Sequence, residues 1–377
     1  STTNPRTDAN VTADISVTAN FDVSPSGAFT SGNVVVYRVG SGTAALTNAA
    51  TQVYLDEFDA ITGALVQSLP MPTSVDGSNR RCVAAGTSSS EGFLSRSSDG
   101  QHLVGTCYDA NTGTTSIANT NGSTAGRVVF RMGVDTVADT TTVLSDFSST
   151  GNPRSAASSN GTHLWMAGSG NPQGTRYAAH GATSSELLLS QNARVVRVFD
   201  NQLYISIAAA IHAIGSGLPT SGAQTSTSLP FSGGPTRSSI YGYYFADLSD
   251  TVPGLDTLYI TQDNAGALSK YSFDGTNWVF NNTIGVASDA YRDITGQVDN
   301  GVVTLFATRK GGTSGTGGGE LVKLIDSAGF NAANNGTPTI LATAAVNTAF
   351  RGVAFAPEAA ISTYTLDYTA GANGSIS

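Results

Sequence analysis

Apolar positions in this chain come in short runs, most of four to eight residues, rich in Val, Ile, Leu, Tyr and Phe and bounded by Gly, Asn, Asp, Ser and Pro. Such runs predict strands, and long stretches with a 3.6-residue period are missing, so the fold class expected is all-β. The runs repeat as a unit. "RSAASSNGTHLWMAG" (154 to 168) reads as strand, Asn160-Gly161 turn, strand; "RVVRVFDNQLYISIA" (194 to 208) repeats it around Asp200-Asn201. "FLSRSSDGQHLVGTCYD" (93 to 109), "RDITGQVDNGVVTLFATR" (292 to 309) and, with an enlarged loop, "SSIYGYYFADLSDTVPGLDTLYITQD" (238 to 263) are further copies. Two more short strands follow each hairpin, as in "GRVVFRMG" and "TTTVLSDF" or "ELVKLID" and "TPTILATAA". Antiparallel four-stranded units recurring at this spacing are the sequence signature of a β-propeller.

Ahead of the first complete unit stand only three strands, "NVVVYRVG", "QVYLDEFDA" and "ALVQSLPMP", and the missing one is the inner strand. "FRGVAFAP" near the C-terminus is a strand without a following partner. It is therefore expected to complete the N-terminal blade and close the ring, removing an open edge. The expected architecture is six four-stranded blades, with seven as the alternative if residues 73 to 92 hide a further strand. Residues 31 to 358 form the propeller, 1 to 30 an extended polar arm, and 359 to 377 a linker and the truncated start of an Ig-like repeat. "GGTSGTGGGE" (311 to 320) lacks the Lys-Ser/Thr ending of a phosphate loop and reads as a mobile hairpin loop.

Composition narrows the partners. Charged residues make up 12% of the 377, the net charge is −9, and no run approaches the 18 apolar residues of a membrane helix. General attraction to nucleic acid or to anionic membranes is therefore not expected. Cys82 and Cys107 are the only cysteines, an even pair in a chain of extracellular character, compatible with a disulfide or with two buried thiols. Ser1 opens the sequence without a charged, apolar leader, which suggests a processed chain.

The segments "NVVVYRVGSGTAALTNAATQVYLDEFDAITGALVQSLPMP", "TSSSEGFLSRSSDGQHLVGTCYDA", "YGYYFADLS…GLDTLYITQD" and "NTAFRGVAFAP", spanning residues 33 to 357, are similar to a family of large secreted bacterial proteins of unassigned biochemical activity. Their propeller-like region is coupled to Ig-like or other surface repeats. The resemblance implies a secreted or cell-surface location and attachment to further repeats; it carries no catalytic residues.

Chemistry rests on the residues. An Arg stands at or just before the innermost strand of every unit: Arg81, Arg154, Arg194, Arg237, Arg292 and Arg351, with a looser fit at Arg81 and Arg237. Converging at a channel mouth, these guanidiniums would hold a carboxylate, sulfate or phosphate. The alternative is that each pairs with a neighbouring carboxylate or carbonyl and staples adjacent blades. Tyr241, Tyr243, Tyr244 and Phe245 share one strand, where alternation sends about half to the core and leaves Tyr244 as a ligand-binding candidate for sugar rings. Asp247, Asp250, Asp256 and Asp263 surround one loop, with Asp247 and Asp250 as weak candidates for Ca²⁺; no other cofactor is expected. The four histidines are dispersed, and no nucleophile elbow, zinc motif or carboxylate pair appears; location alone nominates Asp293 and His163 for acid/base work. Lacking a convergent acid/base pair, the reading leans away from an enzyme, toward a non-catalytic extracellular adhesion or binding module for a glycan or protein. The alternative is a propeller hydrolase or lyase acting on an extracellular anionic polymer or phosphoester at the channel mouth.

Overall fold

The structure is a computed structural model and describes residues 27–262 and 267–360. The expected N-terminal arm to residue 26 and the Ig-like segment from 361 lie outside the described residues. Almost everything described is β-strand and turn, with two short 3₁₀ segments at Ile117–Asn119 and Ala287–Asp289.

Among the described residues, hydrogen bonds define five sheets in a propeller-like arrangement. Four are separate blades. In chain order they are built on Pro153–Ser158 and His163–Gly168, Val196–Phe199 and Gln202–Ile207, Ile240–Ala246 and Thr257–Gln262, and Asp293–Asp299 and Val302–Arg309, each followed by two outer strands. The third carries Phe231–Ser232 as a fifth strand, parallel to Trp278–Ile284. The remaining sheet has ten strands, so six or seven separate blades are not what the hydrogen bonding shows. The physical reason lies in the stretch 73 to 92. Val83–Ala85 pairs with Ala50–Phe58 on one side and, through Val83 and Tyr108, with Leu103–Tyr108 on the other, fusing the first two units into one sheet.

The closing strand is where the sequence places it: Thr348–Phe355 pairs antiparallel with Val34–Val39, Val34 facing Phe355. It is buried along its whole length. The loop 311 to 320 is part of the sheet rather than a mobile hairpin. Gly317–Gly318 runs parallel to the closing strand, where a Cβ on Gly317 would sit 1.9 Å from the Thr348 carbonyl oxygen, an approach open only to glycine. The hairpin turns also follow the sequence, since Asp200 and Asn201 both take positive φ (45° and 54°), the twist a two-residue turn needs.

Cys82 and Cys107 form a disulfide within the apolar cluster of the ten-stranded sheet, among Val53, Leu55 and Val128. No helix among the described residues is long and apolar enough to cross a membrane.

Candidate functional site

Neighbouring sheets are latched at one level of the inner strands. The Arg154 carbonyl accepts from Phe93 N (3.2 Å), that of Arg194 from Ser155 Oγ (3.1 Å), and that of Tyr241 from Ser206 Oγ (2.7 Å). Those of Arg292 and Arg351 accept from Thr261 Oγ1 (2.7 Å) and Thr308 Oγ1 (2.5 Å). A Cβ on Gly352 would meet the Gly92 oxygen at 2.3 Å, as one on Gly242 would meet the Arg292 oxygen at 2.9 Å, so Gly92 holds the corresponding place in its unit. The latched positions are thus Gly92, Arg154, Arg194, Tyr241, Arg292 and Arg351.

Four of the six expected arginines are brought together there. The Arg194 and Arg292 guanidiniums each lie 4.6 Å from the centre of the Tyr241 ring, which Phe93 stacks at 5.3 Å. Arg292 donates to Ser89 O (2.8 Å), Arg154 to Asn192 Oδ1 (2.5 Å) and Ala193 O (2.9 Å), and Arg351 to Gly312 O and Gly86 O (3.0 Å each). These are the carbonyl staples of the structural alternative. They do not use every donor: Arg154 Nε, Arg194 Nη1 and Arg351 Nε are buried with no hydrogen-bond partner. Burial pulls the Arg351 guanidinium down to about 10, opposed by Glu91 and reinforced by Arg292, so it stays charged at neutral pH.

Arg81 and Arg237 are not in this group. Arg81 pairs with Asp109 at 2.9 Å, and Arg237 lies over Phe231 at 4.6 Å, donating to Gly233 O. In Arg237's sheet the latched position belongs to Tyr241, which the sequence named only as an aromatic candidate.

Sequence reasoning missed Glu91, whose only signal is its place between the serine run 88 to 90 and Gly92. It is 2% exposed and accepts from Ala85 N (2.6 Å), Tyr108 Oη (2.8 Å) and Asn152 Nδ2 (2.7 Å). Burial pushes its carboxyl up, those donors and Arg351 pulling the other way. Of the four guanidiniums, that of Arg351 is the one coupled to this buried carboxyl group.

Below the latch the channel is plugged. Arg197, from the same inner segment as Arg194, reaches Asp293 Oδ1 at 2.7 Å and donates to the Leu94 carbonyl. Asp293, fully buried, also accepts from Ile294 N (3.0 Å), Val353 N (3.0 Å) and Leu94 N (3.3 Å). Burial pushes this carboxyl up, yet donors alone face its oxygens, which holds it as a carboxylate. Asp293 is accordingly a structural plug and not the acid/base group its location suggested. His163 is exposed and stacked against Trp165 and Tyr177, away from the arginines.

Tyr244 lies beyond the plug, at the other mouth. Tyr241, Tyr243 and Phe245 are buried, as alternation requires. For Ca²⁺, Asp247 and Asp250 are exposed, while Asp256 is spent on Leu248 N, Ser249 N and Thr257 Oγ1; Asp263 lies outside the described residues. Among the described residues no three His, Cys, Asp or Glu side chains are grouped to hold a metal ion.

No protein-family model matches the chain, and no curated sequence is significantly similar to it. Solved structures of similar fold include a periplasmic gluconolactonase from Pseudomonas aeruginosa, 11% identical with a TM-score of 0.41, covering 83% of this chain and 82% of that one. Another is the soluble aldose sugar dehydrogenase from Escherichia coli, 12% identical with a TM-score of 0.45, covering 78% of this chain and 99% of that one. The class of protein, defined by the strands and sheets of this chain itself, is an all-β, propeller-like fold. The similar structures carry the names of enzymes, against the leaning toward a non-enzyme, and at this identity the likeness is one of fold alone.

Proposed function

We propose that the arginine mouth is the substrate site of a hydrolase or lyase acting on an anionic extracellular polymer or phosphoester. We take the ring as six four-stranded units, the ten-stranded sheet counting as two. The observation that carries the reading is the set of unpartnered buried donors on Arg154, Arg194 and Arg351, the last of them coupled to Glu91. Each orphaned buried donor costs about 1–3 kcal/mol, which a bound carboxylate or phosphate returns through charge-assisted hydrogen bonds. Those guanidiniums then stabilise negative charge building on the held group, and Glu91 moves the proton. The disulfide supports a secreted or cell-surface location, in line with attachment to surface repeats; fractionation of the source cells with thiol labelling tests this, and finding the chain in the cytosol with both thiols free would reject it.

The experiment pairs binding with turnover. Inorganic phosphate and a polyuronate serve as binding probes, with bis-p-nitrophenyl phosphate and the polyuronate as substrates. Arg154→Gln and Arg351→Gln should each weaken binding about tenfold or more, whereas Glu91→Gln should retain binding and lose turnover. Unchanged binding in both arginine variants would sink the site; turnover that is absent in the native protein, or intact in Glu91→Gln, would sink the catalytic reading.

A pH dependence follows from Glu91. Its folded-state carboxyl is raised, so its contribution to stability is fully present below the ordinary glutamate pKa and is lost as pH rises through the raised value. Glu91→Gln should flatten that decline in denaturant titrations, and as a base Glu91 should place the acid limb of the rate profile above the usual glutamate range. An unaltered stability profile in the variant would contradict the assignment.

A further inference from the structure

The Arg197–Asp293 plug leaves a cavity on the far side from the arginines. It has a volume of about 160 Å³, well above the roughly 10–15 Å³ that one water needs. Its walls come from inner strands of several sheets: Ser95, Arg197, Phe199, Tyr244, Thr295 and Phe355. Nothing in the arginine site reaches it, because Asp293 and Arg197 close the channel between the two mouths.

Its chemistry differs from that of the first mouth. Phe199 and Tyr244 meet edge to face, ring centres 5.9 Å apart at 72°, and form an apolar corner. A Cβ on Gly296 would lie 2.7 Å from the Tyr244 ring, so glycine there lets the ring lie flat against the inner strand. Among the described residues, the Tyr244 and Thr295 hydroxyls make no hydrogen bond within the protein, and both residues line the cavity. Burial pushes the Tyr244 hydroxyl up to about 12, so it remains a donor at neutral pH. The two cations nearby are both satisfied: Arg197 by Asp293 and the Leu94 carbonyl, Arg96 by Glu358 at 2.9 Å and the Ala356 carbonyl. No guanidinium at this mouth has a donor orphaned as at the other. A site with aromatic faces, free hydroxyls and no unpaired charge suits a neutral, polyhydroxylated ring, whose C–H face packs on the aromatics while its hydroxyls exchange hydrogen bonds.

We propose that this opposite mouth is a second binding site, for a neutral sugar ring, independent of the arginine site. The test is saturation-transfer NMR on the folded protein with methyl glucoside, methyl galactoside, methyl mannoside and N-acetylglucosamine as probes. At least one should receive saturation at its ring protons. Thr295→Phe, which fills the cavity, should abolish the transfer; Tyr244→Phe, which removes one hydroxyl, should weaken binding several-fold; Arg154→Gln should leave it unchanged. Melting temperatures check that the variants fold, and if Thr295→Phe does not, Tyr244→Phe decides alone. Absence of transfer to every probe, transfer undiminished in folded Thr295→Phe or Tyr244→Phe, or transfer lost in folded Arg154→Gln overturns the proposal.

Discussion

Asp293→Ala is expected to lower the free energy of unfolding by about 3–5 kcal/mol, the cost of leaving a buried charge without its partner. The substitution strands the Arg197 guanidinium, whose side chain is 7% exposed, and takes the acceptor from Ile294 N, Val353 N and Leu94 N. Those amides belong to segments far apart in sequence, so the loss falls on the ring as a whole. Arg197→Met should cost less, because the Asp293 carboxylate keeps its backbone donors, and the double variant Arg197→Met/Asp293→Leu should recover part of the loss on the charged side. Urea unfolding of the three proteins gives the comparison. A loss below about 1 kcal/mol for Asp293→Ala would be that of an exposed pair and would remove the plug as a structural element.

The second large effect comes from the disulfide. Cys82 and Cys107 are 25 residues apart, and closing a loop of that length in the unfolded chain is worth about 3.5 kcal/mol on the chain-entropy model. Both sulfurs are buried, so Cys82→Ala/Cys107→Ala adds the loss of core contacts. The bridge also guards the point where the two halves of the ten-stranded sheet meet, since Val83, next to Cys82, pairs with Tyr108, next to Cys107. Reduction by a phosphine, confirmed by thiol titration, should therefore lower the unfolding midpoint clearly. An unchanged midpoint after complete reduction would show that the unfolded chain gains little freedom.

The fold was legible because its repeat is local. Hairpins turning at Asn160-Gly161 and Asp200-Asn201 announce themselves in a few residues, and the unpaired strands 33 to 72 and 350 to 357 could be matched by elimination. The fused sheet was not legible, since Val83–Ala85 is three residues long and pairs through tertiary context. Of the site, the four arginines were readable as a repeated position at the start of each inner strand, where each carbonyl accepts from the neighbouring unit. Glu91 and Arg197 were not. The first stands in a polar loop with no pattern, and the second sits three residues beyond Arg194, where the strand direction and not the spacing decides which side of the plug it faces. The Arg237 misreading has the same origin: Tyr241 occupies the latched level, and only the Ser206 hydrogen bond to its carbonyl identifies it.

The pairing of Val34–Val39 with Thr348–Phe355 also sets an order of events during synthesis. The innermost strand of the first unit is made after every other strand of the ring, so while the ribosome works through the later units that sheet lacks its axial edge. Loop-closure entropy falls on this one contact between distant segments, and the last step of folding is slow compared with each hairpin. Until residue 355 is released, the chain keeps an open strand edge, a state suited to capture by a holding chaperone.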